Sequence, residues 1–291
     1  MNKLIFVTII WAFSFSLIGV YLKGVDSSYA ALLRVVLALI CFLPFMKFKN
    51  IDYKLAGMAC LIGGVQIGFM YIFYYSSFKY LSVPELALFT IFTPFYITIF
   101  YDFLEKRFRA LYLISVSIAI FGAFIIKYNG INENFLKGFL LIQGANICFA
   151  IGQSLYKFKF EKYNLVEQRD VFGYFFVGAS IVCSFVFLFF GDGSKIALSL
   201  TQILIIVWLG VVASGLCYFL WNKGACEVDS GVLAIMNNAL VPAAIVVNLL
   251  FWGKDTDMVK LILGGAIIYL SLIIHKRIIK YYSKNETEVL S

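Results

Sequence analysis

Apolar runs of about twenty residues, each bounded by charges or turn residues, follow one another down the chain, and polar positions do not alternate with them in the period of two that a barrel strand needs. The pattern predicts helices that cross a bilayer. Ten spans are expected, at roughly 4 to 22, 29 to 46, 55 to 78, 84 to 101, 110 to 127, 136 to 156, 171 to 190, 201 to 221, 230 to 251 and 260 to 276. The fold class that follows is an all-α membrane protein with ten transmembrane helices. No small-residue cleavage site follows the first span, which is therefore read as a retained helix.

The spans divide into two sets of five, residues 1–127 and 136–276, with 277–291 left as a tail. Five is odd, so the second set enters the membrane upside down relative to the first. The expected architecture is an inverted repeat whose interface lies at the midplane. The fourth helices of the two sets agree in layout: a small or turn residue, about ten apolar positions, a polar centre, then Pro94 or Pro242.

Polar residues inside such runs carry the functional information, because lipid offers them no partner. The stretch 229–248, DSGVLAIMNNALVPAAIVVN, buries the adjacent amides Asn237 and Asn238 four and five residues before Pro242, whose ring frees a carbonyl one turn back. In the sixth span Gln143, Asn146, Ala150 and Gln153 share one face. The first span carries Trp11 and Ser14 on one face, deeper than tryptophan prefers, as a packing aromatic or a ligand-stacking wall. The third has Gly63, Gly64, Gln66 and Gly68 before an aromatic run that includes Tyr71 and Tyr74. Arg34, a cation well inside the second span, costs on the order of 2.5 kcal/mol to bury unless it is paired. It is read either as a lock between helices or as a counter-charge for an anionic solute. Glu85, in the first turn of the fourth span, complements the helix dipole or carries a proton. Tyr218 and Trp221, near the end of the eighth span, are expected in the interfacial aromatic belt.

Composition narrows this further. With 62% hydrophobic residues, 14% charged residues and a mean hydropathy of +0.92, the chain cannot be wrapped as a soluble globule. Of its 24 Lys and Arg residues, sixteen fall on the side of the termini, among them Lys106, Arg107, Lys276 and Arg277, and seven on the other. The excess places both termini in the cytoplasm and reads the net charge of +8 as topology, not as a nucleic-acid surface. Six cysteines without paired spacing indicate neither disulfides nor a metal site. The single histidine, His275, is expected at the periphery of the last span. No nucleophile, base and acid trio is apparent, so the reading is a carrier of a small solute, with no enzyme activity, no cofactor and no obligatory protein partner beyond the surrounding lipid.

WAFSFS at 11–16, an arginine near the start of helix two and Pro-centred fourth and ninth helices resemble the EamA-type carriers of the drug/metabolite transporter superfamily. Within it, VPELALFTIFTPFYITIFYD, NICFAIG, LGVVASGLCYFLWNKGACEVDSGVLAIMNN and VPAAIVVN resemble the bacterial biotin-carrying branch of the carboxylate/amino acid/amine group. Pro84 stands where that pattern would have a small polar residue. The resemblance implies biotin uptake across a bacterial inner membrane. The residues suit biotin: Asn146, Gln153, Asn237 and Asn238 match a flat ureido group, Trp11, Tyr71 and Tyr74 a thiophane ring, and a carboxylate needs a cation or a helix N-terminus. Amino acids and thio-metabolites suit them too, and an exporter of amino acids or metabolites in the same fold stays open. An anion entering an interior-negative cell climbs about 2.3 kcal/mol per 100 mV. Accumulation then needs a proton, with Glu85 as the acid nearest the pathway, or trapping inside after facilitated diffusion.

Overall fold

Several expected helix starts carry a side chain that satisfies free N–H groups of the first turn. In the computed structural model, Asp26 accepts from the amides of Ser28 and Tyr29 at the head of α2 (Ser27–Phe42), and Asp52 from Lys54 and Leu55 at the head of α3 (Tyr53–Ser77). Ser199 and Gln202 bond each other's amides at the head of α8 (Leu200–Cys226). The remaining helices are α1 (Asn2–Tyr21), α4 (Val83–Phe89), α5 (Thr93–Leu104), α6 (Glu133–Phe160), α7 (Leu165–Phe190), α9 (Ser230–Trp252) and α10 (Met258–Val289). The structure describes residues 1–49, 51–104, 133–228, 230–252 and 258–289, with single positions between 111 and 125, and among these there is no strand.

Seven of the described helices are long and apolar enough to cross a membrane, and two shorter apolar stretches, Val83–Ile97 and Ala239–Trp252, accompany them. The protein is thus all-helical and multi-pass. The expected fifth span, 110 to 127, lies mostly outside the described residues. At the chain's end α10 runs on to Val289, so the segment expected as a separate tail is largely a helical extension. Leu188, Phe190 and Leu250 point outward, a surface fit for lipid and unfit for water.

Two departures from regular helix shape the interior. Both α3 and α8 widen in mid-course into π-helical segments, Gly64–Phe69 and Leu209–Leu216. Beside the first, α3 and α7 touch backbone to backbone: a Cβ on Gly63 would lie 1.8 Å from the Phe175 carbonyl oxygen, and one on Gly178 1.8 Å from that of Cys60. The second departure comes from Pro94. It offers the Thr90 carbonyl no N–H, and the Thr93 amide tightens onto that carbonyl in a single 3-10 turn, Thr90–Phe92, between α4 and α5. The carbonyl of Phe89 is thereby released from the helix ladder. Pro242 has a milder effect, since the trace of α9 runs through it unbroken.

At one end of the bundle Asp26 ties two loops together. Its carboxylate also accepts the Asp192 amide at 3.3 Å, while its own N–H donates to the Lys195 carbonyl. Burial pushes its pKa upward, but the hydrogen bonds from Ser28, Tyr29 and Asp192 and the charge of Lys79 outweigh it and hold the group below the usual carboxylate range.

Candidate binding cavity

Polar and aromatic side chains from seven of these elements converge on one cavity, apolar for the most part with a few polar groups, as small-molecule sites are. The aromatic wall is built around Trp11 of α1. Its ring centroid lies 4.9 Å from those of Tyr218 and of Trp221, both on α8, and its edge meets Phe149 of α6 at 6.2 Å. Trp11 Nε1 donates to the Ala213 carbonyl at 2.8 Å, inside the π-helical segment of α8, and this bond fixes the ring's tilt. Trp221 is held in turn by its Nε1, which donates to Gln153 at 2.8 Å.

Arg34 lines the same space and is 3% exposed. Its Nε donates to Ser214 Oγ at 2.5 Å, its Nη1 to the Tyr75 hydroxyl at 3.4 Å, and its guanidinium carbon stands 4.3 Å from the centroid of the Tyr71 ring. The Tyr71 hydroxyl reaches Ser214 as well, at 2.7 Å. Ser214 is therefore the hub of this end, and the π-helical winding of α8 is what presents it.

The amides come from α6 and α9. Asn146 donates through Nδ2 to the released Phe89 carbonyl at 2.9 Å and to Gln143 Oε1 at 3.1 Å. Gln143 is itself held by the Tyr96 hydroxyl at 3.0 Å. Asn237 donates through Nδ2 to the Leu233 carbonyl one turn back at 3.0 Å. Both amides turn Nδ2 onto protein acceptors, and neither Oδ1 has a partner among the described residues. The two carbonyl oxygens are acceptors left for a ligand.

Seven sequence-derived residues, Trp11, Ser14, Arg34, Tyr71, Tyr74, Asn146 and Asn237, lie on the wall of this cavity. Gln153 does not line it and acts one layer behind, through Trp221. The side chain of Asn238 lies outside the described residues. Glu85 accepts the Ser82 amide at 2.9 Å in a capping box at the head of α4, and no acid is among the described residues lining the cavity.

Two expectations are corrected. Tyr218 and Trp221 are 4% and 1% exposed and form the cavity wall, not an interfacial belt. His275 is not peripheral: it is buried, shares a 2.8 Å hydrogen bond with Ser115 and packs against Phe95. Gln66 turns away from the cavity to donate to Asn222 at 3.1 Å, and Asn222 in turn holds the Tyr218 carbonyl. Phe149, Thr90 and Thr93 also belong to the wall. Phe149, three residues after Asn146, shares its helix face, and the threonines flank the break that Pro94 causes, so both signals were present in the letters.

Residues 3–128 match the model of the EamA-like transporter family. The chain is 46% identical over 278 residues to a Pseudomonas aeruginosa protein named probable biotin transporter, covering 95% of this chain and 97% of that one. It is 43% identical over 279 residues to proteins named biotin transporter in Salmonella typhimurium and in Escherichia coli K12, covering 95% of this chain and 93% of each. A solved crystal structure, 14% identical, superposes with a TM-score of 0.67 and covers 94% of this chain and 95% of its own, a likeness of fold alone.

Proposed function

The chain belongs to the EamA-like transporter family, and from that premise we propose that it is a secondary carrier bringing biotin across a bacterial inner membrane. The observation that carries the reading is the division of labour in the cavity. A buried guanidinium stands on one helix, two amide oxygens without partners on two others, and an aromatic wall on a further two. Biotin presents a carboxylate, a ureido group with two N–H donors and an apolar fused ring, one feature for each. In this reading Trp11, Ser14, Tyr71, Tyr74, Asn146, Asn237 and Asn238 touch the solute, Arg34 takes its carboxylate, and Gln153 positions Trp221.

Two inverted five-helix units, 1–127 and 136–276, are the architecture we assign, with the site between them. Support comes from the wall itself. Tyr71 and Tyr218, Tyr74 and Trp221, Thr90 and Asn237, and Thr93 and Leu240 all line the cavity, and each pair is separated by 147 positions. The same spacing carries the π-helical Gly64–Phe69 onto the part of Leu209–Leu216 that begins at Val211. The family model, matching residues 3–128, spans one such unit. Both termini are assigned to the cytoplasm on the Lys and Arg asymmetry.

Facilitated diffusion with trapping inside is the mode of transport we assign. The acid offered for a proton role, Glu85, gives its carboxylate to a helix cap and does not line the cavity, and no acid is among the described residues that do.

The test is growth of a biotin-auxotrophic host that lacks its own uptake system. Expression of this chain should restore growth on nanomolar biotin and uptake of labelled biotin. Failure to restore either, with the protein present in the membrane, sinks the reading; increased resistance to amino acids would instead indicate an exporter.

A further inference from the structure

Arg34 is charged at every pH the cell meets. All its contacts are neutral: a serine hydroxyl, a tyrosine hydroxyl and a tyrosine ring. Such groups satisfy donors and stabilise a cation, but they cancel no charge. Among the described residues no carboxylate lies within ion-pair distance of the guanidinium, and Nη2 makes no hydrogen bond to the protein. Among the described residues no other charged side chain lines the cavity. The empty site therefore holds one uncompensated positive charge in a low-dielectric interior, where a pairing anion gains most.

Resting on the biotin reading above, we propose that the substrate carboxylate pairs with Arg34, so that the loaded site is electrically neutral and the empty one positive, and that the membrane potential acts on the return of the empty carrier. In an alternating-access cycle the site faces outside and inside water in turn, so its net charge crosses the field at each reorientation. With an interior-negative potential the neutral loaded step is indifferent to voltage. The empty positive site must then move outward against the field, and this step slows. One anion still enters per cycle, so the energetic cost of its entry falls on this half of the cycle. The substrate class follows: monocarboxylates that neutralise Arg34, with their esters and amides excluded or weakly carried.

Purified carrier in liposomes separates the two half-cycles. Net uptake of labelled biotin into empty vesicles needs the empty return, whereas counterflow into vesicles preloaded with unlabelled biotin uses loaded steps only. Under an imposed interior-negative potential of about 100 mV, net uptake should slow several-fold and counterflow should not change; a unit charge crossing the whole field bounds the effect at about fiftyfold. Counterflow slowed as much as net uptake, or net uptake indifferent to potential, overturns the proposal.

Competition by biotin methyl ester provides an independent arm. The ester should compete at least about tenfold more weakly than biotin, and the difference should vanish in Arg34→Gln, while Arg34→Lys keeps the voltage signature. If the ester competes equally in the unmodified protein, the charge assignment fails while biotin transport stands. If monodisperse, reconstituted protein shows no biotin counterflow, the transport reading itself has failed. The unmodified protein decides both points even if Arg34→Gln does not fold.

Discussion

Asn146 shows how one side chain links a helix break to a site. Its Nδ2 satisfies the Phe89 carbonyl that Pro94 releases, which fixes the amide so that Oδ1 has no partner among the described residues. Asn146→Leu leaves that carbonyl buried and unpaired, a cost of about 1 to 3 kcal/mol, and removes the acceptor. Biotin uptake should fall about tenfold or more, with a smaller loss in thermal stability; uptake equal to that of the unmodified protein would remove Asn146 from the site. Glu85 allows the opposite prediction. Glutamine serves in a capping box as well as glutamate does, so Glu85→Gln should keep uptake within about twofold and leave its response to an imposed pH gradient unchanged. Loss of a pH-gradient response in that variant would restore the proton role. Both residues stood out in the sequence as polar groups in apolar runs. The letters could not show what each does with its hydrogen bonds, since the partners are Phe89, far from Asn146 in sequence, and the neighbouring Ser82.

Among the elements, the breaks at Pro94 and the close approach of glycine-bearing helices were legible, because proline removes a donor and glycine a side chain wherever they stand. The π-helical winding was not. GGVQIG and LGVVASGL read locally as flexible helix, and what presents Ser214 to Arg34 and Tyr71 is a contact between helices far apart in sequence. The α3–α7 contact is the element most open to test. A methyl at Gly178 would meet backbone, which cannot step aside as a side chain can. Gly178→Ala should destabilise the protein by about 1 to 3 kcal/mol or more through overpacking, read as a fall in melting temperature in detergent. Gly57, where an added Cβ would meet nothing, supplies the control: Gly57→Ala should show no such fall.

Over the described residues, hydropathy alone placed the helices. It gave a span's apolar length, which is less than the helix's true length, and that shortfall explains the misplaced aromatics. The eighth span was expected to end at 221, but α8 runs 27 residues to Cys226, so Trp221 stands five residues, about 7 Å, further from its end. A residue taken for the rim is thus a wall of the cavity. His275 moved inward for the same reason, because α10 continues to Val289.

The aromatic wall also makes the protein its own optical probe. Of its four tryptophans, Trp11 and Trp221 face the cavity with ring centroids 4.9 Å apart, while Trp252 is half-buried and hydrogen-bonds Tyr21. A solute that stacks there changes the polarity around two coupled indoles at once. With Trp208 and Trp252 replaced by phenylalanine, the remaining tryptophan emission comes from the wall alone. It should shift saturably with added biotin and need at least about tenfold more biotin methyl ester for the same shift, turning occupancy of a membrane-embedded cavity into a colour change that needs no label.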